Sequence, residues 1–306
     1  MTEYELINAD CIPTMHDFAA QGRQFDLAVF SPPFASLFTY SNADADMGNS
    51  RDSDDEFLIH HRFFVTALRP LIKPGRNVCV HVQNPVRQKG VHGFMGLWDM
   101  RGQMIAQYVA AGFHYYGEVT VWKNPQAQAI KNKAHALMFT SLEKDSIINR
   151  PALADYVMIF KAPGENATPC KPVERGELTR NDWIEWASPV WTSIKETNTL
   201  NVAIAREDSD ERHLCPLQLD LIERCVKLWS NPGETVFSPF AGIGSEGHVA
   251  LTFGRRFVGT ELKRAYFDRA KINLSDAIRR RHEHDSQGDL FGASSAMTFQ
   301  QVKSDV

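Results

Sequence analysis

No apolar run in the chain approaches the ~20 residues that a membrane-spanning helix requires, and no basic segment followed by an apolar stretch opens it. A membrane span and a secretory leader are therefore not expected. Cysteine is sparse: the 5 present, Cys11, Cys79, Cys170, Cys215 and Cys225, include no C-x-x-C pair. An odd, dispersed set argues against a disulfide framework or a zinc site and for reduced thiols in a cytoplasm. Internal repeats are absent, and no low-complexity tract precedes the polar C-terminal stretch. Charge of one sign is also lacking. A net charge of −4 neither announces a nucleic-acid binder nor excludes one, because charge at the docking face sets phosphate affinity. What remains is an ordinary globular composition, 43% hydrophobic and 23% charged over 306 residues, enough for one large domain with an insertion or two small ones.

Strand-like and helix-like patterns alternate. Residues 4–8 read as a strand, and Asp10 stands where an N-cap would open a short helix containing Pro13. Residues 25–30 form a buried strand that stops at Ser31-Pro32-Pro33-Phe34, and residues 35–54 read as a loop. A helix over 56–71 carries Phe57, His60 or His61, Phe64 and Leu68 at helical spacing. Lys73-Pro74-Gly75 is expected to end it before a strand over 77–82, followed by a helix at 102–111 and strands at 118–122 and 155–160. From 161 to 212 the pattern dissolves into polar, Pro- and Gly-bearing sequence that holds Trp183, Trp186 and Trp191. A helix over 217–229, a strand at 257–259 and a final helix over 265–281 complete the order. Such alternation predicts an α/β fold with a largely parallel sheet covered on both faces.

Residues 238–247 read Ser-Pro-Phe-Ala-Gly-Ile-Gly-Ser-Glu-Gly, a glycine loop between a strand (235–237) and a helix. Gly242, Gly244 and Gly247 match G-x-G-x-x-G, and Glu261 ends the next strand, where a carboxylate can accept from ribose hydroxyls. This predicts a nucleoside cofactor, either a nicotinamide dinucleotide or S-adenosylmethionine. A loop of this type normally opens a sheet, yet little chain follows it. The remaining strands must come from earlier residues, so the order along the chain is rotated.

Ser31-Pro32-Pro33-Phe34 is the second signal. Two prolines fix the backbone, remove N–H groups and leave carbonyl oxygens facing outward. A Ser hydroxyl beside rigid carbonyls can accept hydrogen bonds from an amino group, and Phe34 offers a flat face to a planar base. An exocyclic amine delocalises its lone pair into the ring. Acceptors on its hydrogens favour a more tetrahedral, nucleophilic nitrogen, so methyl transfer to it needs neither a metal nor a covalent nucleophile.

With both loops in view, the chain resembles the amino-group DNA methyltransferases in the permuted, β-type order, where the catalytic motif precedes the cofactor motif. Ser31 to Phe34 matches the family's (Asp/Asn/Ser)-Pro-Pro-(Tyr/Phe) motif, and residues 237–244 its Asp-Pro-Phe-x-Gly-x-Gly motif. His213-Leu214-Cys215-Pro216-Leu217-Gln218 looks like the segment bordering the methionine end of the cofactor, residues 255–266 like the Gly-Arg-x-Phe-x-Gly-x-Glu-Leu stretch, and residues 8–11 like the (Gly/Asn)-x-Asp-Cys element near the adenine. Ser238 stands where the family usually has Asp, so a carboxylate near the cofactor's amino acid end is missing.

The resemblance implies a Rossmann-like, S-adenosylmethionine-dependent fold in four segments. Residues 1–122 would be the catalytic half. Residues 123–212 would be an inserted target-recognition region that includes the core strand 155–160. Residues 213–281 would be the cofactor half, and residues 282–306 a polar, disordered tail. Ser31, Pro32, Pro33 and Phe34 would be catalytic. Asp10, Cys11, His213, Pro216, Gln218, Ser238, Pro239, Phe240, Ala241, Gly242, Gly244, Glu261 and Leu262 would hold S-adenosyl-L-methionine.

The implied partner is double-stranded DNA, with a homodimer, in a bacterial cytoplasm or at its nucleoid. Segments shared with phage and prophage enzymes favour N6 of adenine. Ser-Pro-Pro more often accompanies N4 of cytosine, which is the alternative. An inactive DNA-binding regulator is the rival from another class, and no restriction endonuclease can be read from one chain. Tyr40, Lys123, Lys131 and Lys133 are candidate DNA contacts, the lysines lying just past a strand at the catalytic edge. Trp183, Trp186 and Trp191 are expected to form a small core within the insertion. His60, His61, His282 and His284 lack metal-ligand spacing and are expected on the surface, and Arg279, Arg280 and Arg281 at the end of the last helix.

Overall fold

A computed structural model of the chain describes residues 2–34, 47, 54–87, 89–94, 96–124, 154–200 and 216–301. In chain order its elements are β1 (Tyr4–Ile7), α1 (Cys11–Ala20), β2 (Phe25–Phe30), α2 (Asp54–Leu68), β3 (Ile72–Val82), β4 (Val86–Arg87), α3 (Lys89–His92), β5 (Gly96–Leu97) and α4 (Met100–Ala110). There follow β6 (His114–Val121), β7 (Asp155–Lys161), α5 (Arg180–Trp186), β8 (Val190–Trp191), α6 (Leu219–Trp229), β9 (Thr235–Ser238), α7 (Ser245–Thr252), β10 (Arg256–Thr260) and α8 (Arg264–Gln301). Among these residues no helix is long and apolar enough to cross a membrane.

Every residue of β2, Phe-Asp-Leu-Ala-Val-Phe, is buried, as expected of a central strand covered on both faces. Its alternation splits the core in two. Ala28 and Phe30 face a cluster built with Met15, Phe18, Phe64, Leu68, Met104 and Tyr108 of α1, α2 and α4. Leu27 and Val29 face the other, with Leu221, Ile222 and Cys225 of α6, Val249 of α7 and Leu274 of α8. Each large apolar side chain so buried is worth about 1.5–3 kcal/mol.

The main sheet runs β1-β10-β9-β2-β3-β7-β6-β8. From β1 to β3 all neighbours are parallel, β7 is antiparallel to both β3 and β6, and β8 is parallel to β6. The chain leaves β2 through α2 towards β3 and leaves β9 through α7 towards β10, in opposite directions. β2 and β9 are neighbours, paired Leu27 to Val236 and Ala28 to Phe237. The crevice beyond their carboxyl ends is thus a topological switch point, the usual ligand position in such sheets.

At the amino edge of the same strands, charges are matched. Asp26 accepts from Lys73 Nζ at 2.6 Å and from the Thr235 amide at 2.9 Å. Arg76 pairs with Glu234 and donates to the Asp26 and Thr168 carbonyls at 2.8 and 2.9 Å. Arg255, fully buried, pairs with Glu177 and donates to the Ser230 carbonyl at 2.7 Å.

Several expectations are corrected. β3 begins at Ile72 and runs through Lys73-Pro74-Gly75, because the sheet absorbs an irregularity there as a register shift between Phe25 and Leu27. Trp191 is buried in the main core with Val29, Val121 and Val157 rather than in a separate insertion core, since β8 pairs with β6 and directs it inward. Trp183 is half exposed. His61 is 0% exposed, its Nδ1 2.6 Å from Gln107 Oε1, and burial pushes its pKa down to about 4, so it is a neutral core residue. The last helix continues to Gln301 instead of giving way to a disordered tail at 282. Nothing at 282–287 breaks it, and extending an existing helix costs far less than nucleating one. Arg279, Arg280 and Arg281 therefore lie within α8, and Arg281 reaches Glu3 at 2.8 Å.

Candidate active site

The glycine loop joins β9 to α7 with close tolerances. Gly244 is the N-cap of α7 at φ 88, a left-handed conformation that disfavours side chains. At Gly247 a Cβ would stand 2.5 Å from both Leu274 and Phe257, so only glycine lets α7 lie this near β10 and α8. The loop is tied down from below. The Ala241 amide donates to the Thr260 carbonyl at 2.9 Å, Thr260 Oγ1 to the Pro239 carbonyl at 2.7 Å, and Asn273 Nδ2 to the Ile243 carbonyl at 2.7 Å. Phe240 lies 5.0 Å from Phe64 and 5.9 Å from Phe30, ring centre to ring centre, which links this loop to the strand leading into Ser31.

Glu261, beyond β10, accepts from the Gly242 amide and from the Lys263 amide, each at 2.8 Å. Asn8 Nδ2 holds the Glu261 and Leu262 carbonyls at 2.8 and 3.1 Å, bringing the end of β1 beside the end of β10. Asp10 follows on the same edge and caps α1 through the Ile12 amide at 2.9 Å. Cys11 is buried next to it, and burial, then the Asp10 charge, push its thiol well above the ordinary value. α6 leads through residues 230–234 into the amino end of β9, so its first turn, with Pro216 and Gln218 just before it, lies at the carboxyl edge. Gln218 Oε1 and Ser238 Oγ are both buried without a hydrogen-bond partner among the described residues.

The catalytic candidates sit across the switch point. Phe30 pairs with Val80, so the next position sets Ser31 beside His81. Ser31 Oγ is 3.0 Å from His81 Nδ1 and 3.2 Å from the His81 carbonyl, with Nδ1 and the carbonyl as alternative acceptors for its one proton. His81 Nε2 is 2.9 Å from Asp155 Oδ2. β7 runs antiparallel to β3, so its first residue, Asp155, meets the far end of β3. Lys123, just past β6, puts Nζ 2.7 Å from the same Asp155 oxygen. Burial pushes the Asp155 carboxyl up, but His81 and Lys123 outweigh it and hold it below its ordinary value. Pro32 is buried, and the half-buried Phe34 ring lies 6.0 Å from the His81 ring, tilted by 48°.

Lys123 requires a correction. It is 8% exposed and committed to Asp155, so it does not offer its charge to a phosphate. A lysine next to a catalytic strand looks like a phosphate contact until its partner arrives from the antiparallel neighbour. Tyr40, Lys131, Lys133 and His213 lie outside the described residues. Three residues at the site escaped the sequence reasoning. His81 and Asp155 had a usable signal, a polar residue at the end of an otherwise apolar strand. Glu246 had none, because an acid in the first turn of a helix reads as a dipole partner. It is only 4% exposed and has no ion pair among the described residues. Burial, with the Glu261 charge adding to it, pushes its pKa up to about 8.

Residues 25–272 match the N6/N4 methyltransferase family of DNA methylases. The chain belongs to this family. Among curated methylases, it is 28% identical over 121 residues to the type II methyltransferase M.BglI of Bacillus subtilis, covering 39% of this chain and 30% of that one. It is 21% identical over 198 residues to the type II methyltransferase M.MjaI of Methanocaldococcus jannaschii, covering 64% and 60%. The chain thus spans less than two thirds of either relative. The fold is shared with a protein of Thermus thermophilus assigned as a DNA modification methylase and solved with S-adenosyl-L-methionine (TM-score 0.65, 20% identity, 90% of this chain and 94% of that one). It is shared also with the cytosine-N4-specific PvuII DNA methyltransferase (TM-score 0.62, 16% identity, 91% and 94%).

Proposed function

We propose that the chain transfers a methyl group from S-adenosyl-L-methionine to the exocyclic amino group of a base flipped out of double-stranded DNA, with N6 of adenine as the target. One observation carries the methyl-transfer reading: the Ser-Pro-Pro-Phe loop and the glycine loop meet at a single switch point between β2 and β9. Membership of the methylase family supports it, as does the rotated motif order, in which β10 lies between β9 and β1. The choice of adenine rests on the sequence segments resembling phage and prophage enzymes. Residues 123–212 are the proposed target-recognition region, apart from β7 and β8, which enter the core.

The residues present fit the cofactor. Ser238 Oγ, at the end of β9, and Gln218 Oε1, just before α6, are buried polar atoms without a partner among the described residues, and a bound molecule with complementary groups would satisfy both. Glu246 answers the missing carboxylate at position 238. It is a buried acid with no ion pair among the described residues, one residue beyond the start of α7, and an ammonium beside it would draw it into the charged form. Gly242 and Gly244 would admit the cofactor's close approach, with Asp10 and Glu261 towards the nucleoside. Once bound, S-adenosyl-L-methionine supplies an electrophilic methyl on a sulfonium. Ser31 Oγ and the Pro32 carbonyl would accept from the target amine, turning its lone pair towards that methyl, and Phe34 would stack on the base. Alignment rather than covalent chemistry would provide most of the acceleration.

Ser31 favours a second reading, N4 of cytosine, because that residue more often accompanies this target in the family. Nucleoside mass spectrometry on duplex DNA incubated with the protein and S-adenosyl-L-methionine separates the two. N6-methyladenine supports the first and N4-methylcytosine the second. Cofactor binding without either product sends the search to RNA or protein acceptors, and no cofactor binding favours a catalytically inert DNA-binding protein.

A further inference from the structure

Lys123, Asp155 and His81 are all buried, come from three separate segments, and converge on Ser31. The fold does not need them, since β3 and β7 are already held by a six-residue register from Asn77 to Val82. Buried charges at such a junction are often less stabilising than apolar side chains of similar volume. Their arrangement has a chemical logic instead. Asp155, ionised and next to Lys123, only accepts hydrogen bonds, so the hydrogen on His81 belongs on Nε2. Nδ1 is then a bare acceptor 3.0 Å from Ser31 Oγ, nearer than the alternative His81 carbonyl at 3.2 Å, and it takes the single hydroxyl proton. With that proton committed inward, both serine lone pairs remain available to accept from a target amine. Had the ring carried its hydrogen on Nδ1, Ser31 would accept from it and lose acceptor capacity.

We propose that His81, fixed in this tautomer by Asp155 and Lys123, orients Ser31 and receives, through it, the proton that leaves the methylated amine. The inference rests on the amino-methyltransferase reading above. As the nitrogen–carbon bond forms and the carbon–sulfur bond breaks, the pair of the broken bond stays on sulfur and the nitrogen becomes a cation. One N–H proton passes to Ser31 Oγ while the serine proton passes to His81 Nδ1. The positive charge ends on an imidazolium whose Nε2–H faces Asp155, and the amine is left neutral. The titratable and charged groups facing His81 among the described residues are Asp155 of β7, Lys123 beyond β6 and the Ser31 hydroxyl, and the Phe34 ring lies 6.0 Å away on the loop side. His81 is thus a positioning residue that acts through Ser31.

The test combines imidazole nitrogen NMR on the free protein with pH profiles of methyl transfer. The expected NMR result at neutral pH is hydrogen on Nε2 and none on Nδ1. His81→Asn keeps an acceptor near Nδ1 but cannot take a proton. It is expected to lower kcat on the order of 100-fold, leave KM for the cofactor unchanged and flatten the acid limb of the wild-type profile. Asp155→Asn, which can stabilise the wrong tautomer, should lower kcat similarly and move the NMR hydrogen to Nδ1. Melting curves and calorimetric cofactor binding establish that each variant is folded. A wild-type Nδ1–H tautomer, or a folded His81→Asn protein with wild-type kcat and profile, overturns the proposal alone. Wild-type protein that methylates no base overturns the methyltransferase reading and this inference with it.

Discussion

The two edges of the parallel strands solve opposite problems with the same residue types. At the amino edge, Asp26, Arg76, Glu234, Arg255 and Glu177 each meet an opposite charge or a backbone partner. At the carboxyl edge, among the described residues, Ser238 Oγ and Gln218 Oε1 have no partner and Glu246 is buried without a counter-ion. A closed edge holds the sheet together. An edge with unmet polar groups gives up stability in the free protein and recovers it when something binds.

This contrast can be broken from either side. The largest effect should come from Arg76→Ala, which removes the cation from the nearly buried Glu234 and leaves it, among the described residues, only the Asn231 donors. A loss of about 3–5 kcal/mol is expected in urea unfolding, with the cofactor affinity of the folded fraction unchanged. On the opposite edge, Phe34→Ala should leave the unfolding curve near wild type and lower methyl transfer by on the order of 100-fold through lost alignment, with cofactor binding retained in calorimetry. Unimpaired turnover would remove Phe34 from the mechanism.

Glu246→Gln sharpens the comparison, because it should move binding and stability in opposite directions. Cofactor affinity is expected to fall about tenfold with loss of a charge-assisted contact. The Glu246 pKa is raised in the folded protein, so its stabilising contribution is full below the ordinary glutamate value near 4.5 and is lost as pH rises through about 8. The free variant, which has nothing to ionise, should therefore melt several degrees higher than wild type at pH 9 and not at pH 4. Equal melting curves at both pH values would show that Glu246 is not a strained acid. The smallest effect is expected at Arg279→Ala on α8, where the exposed pairs with Asp276 and Glu283 should contribute no measurable change in Tm.

The same contrast explains what can be read without coordinates. The βαβ order, the switch-point loops and the helix-capping Asp10 are local features, because each depends on residues adjacent in the chain. The Ser31–His81–Asp155–Lys123 chain is not local. It exists only because β7 inserts antiparallel between β3 and β6, a pairing that no spacing in the sequence announces. Lys123 misleads for that reason, and Trp191 because polar sequence around it conceals a short strand joined to β6. His61 misleads at the next level down, since helical spacing admits either His60 or His61 and packing against Tyr108 and Phe64 decides it.

The pairing of Tyr4 with Phe257 also sets a schedule for biosynthesis. At about 5–20 residues per second, β1 waits roughly 10–50 s on the ribosome before its partner β10 is made. During that interval β2 and β3 can pair, but the flank of β2 that will receive β9 stays open. The nascent chain thus carries an uncovered apolar strand edge for most of its synthesis, a template for mispairing with other chains. Slowing translation within residues 161–234 should lengthen that exposure and increase aggregation, whereas slowing it after residue 260 should not.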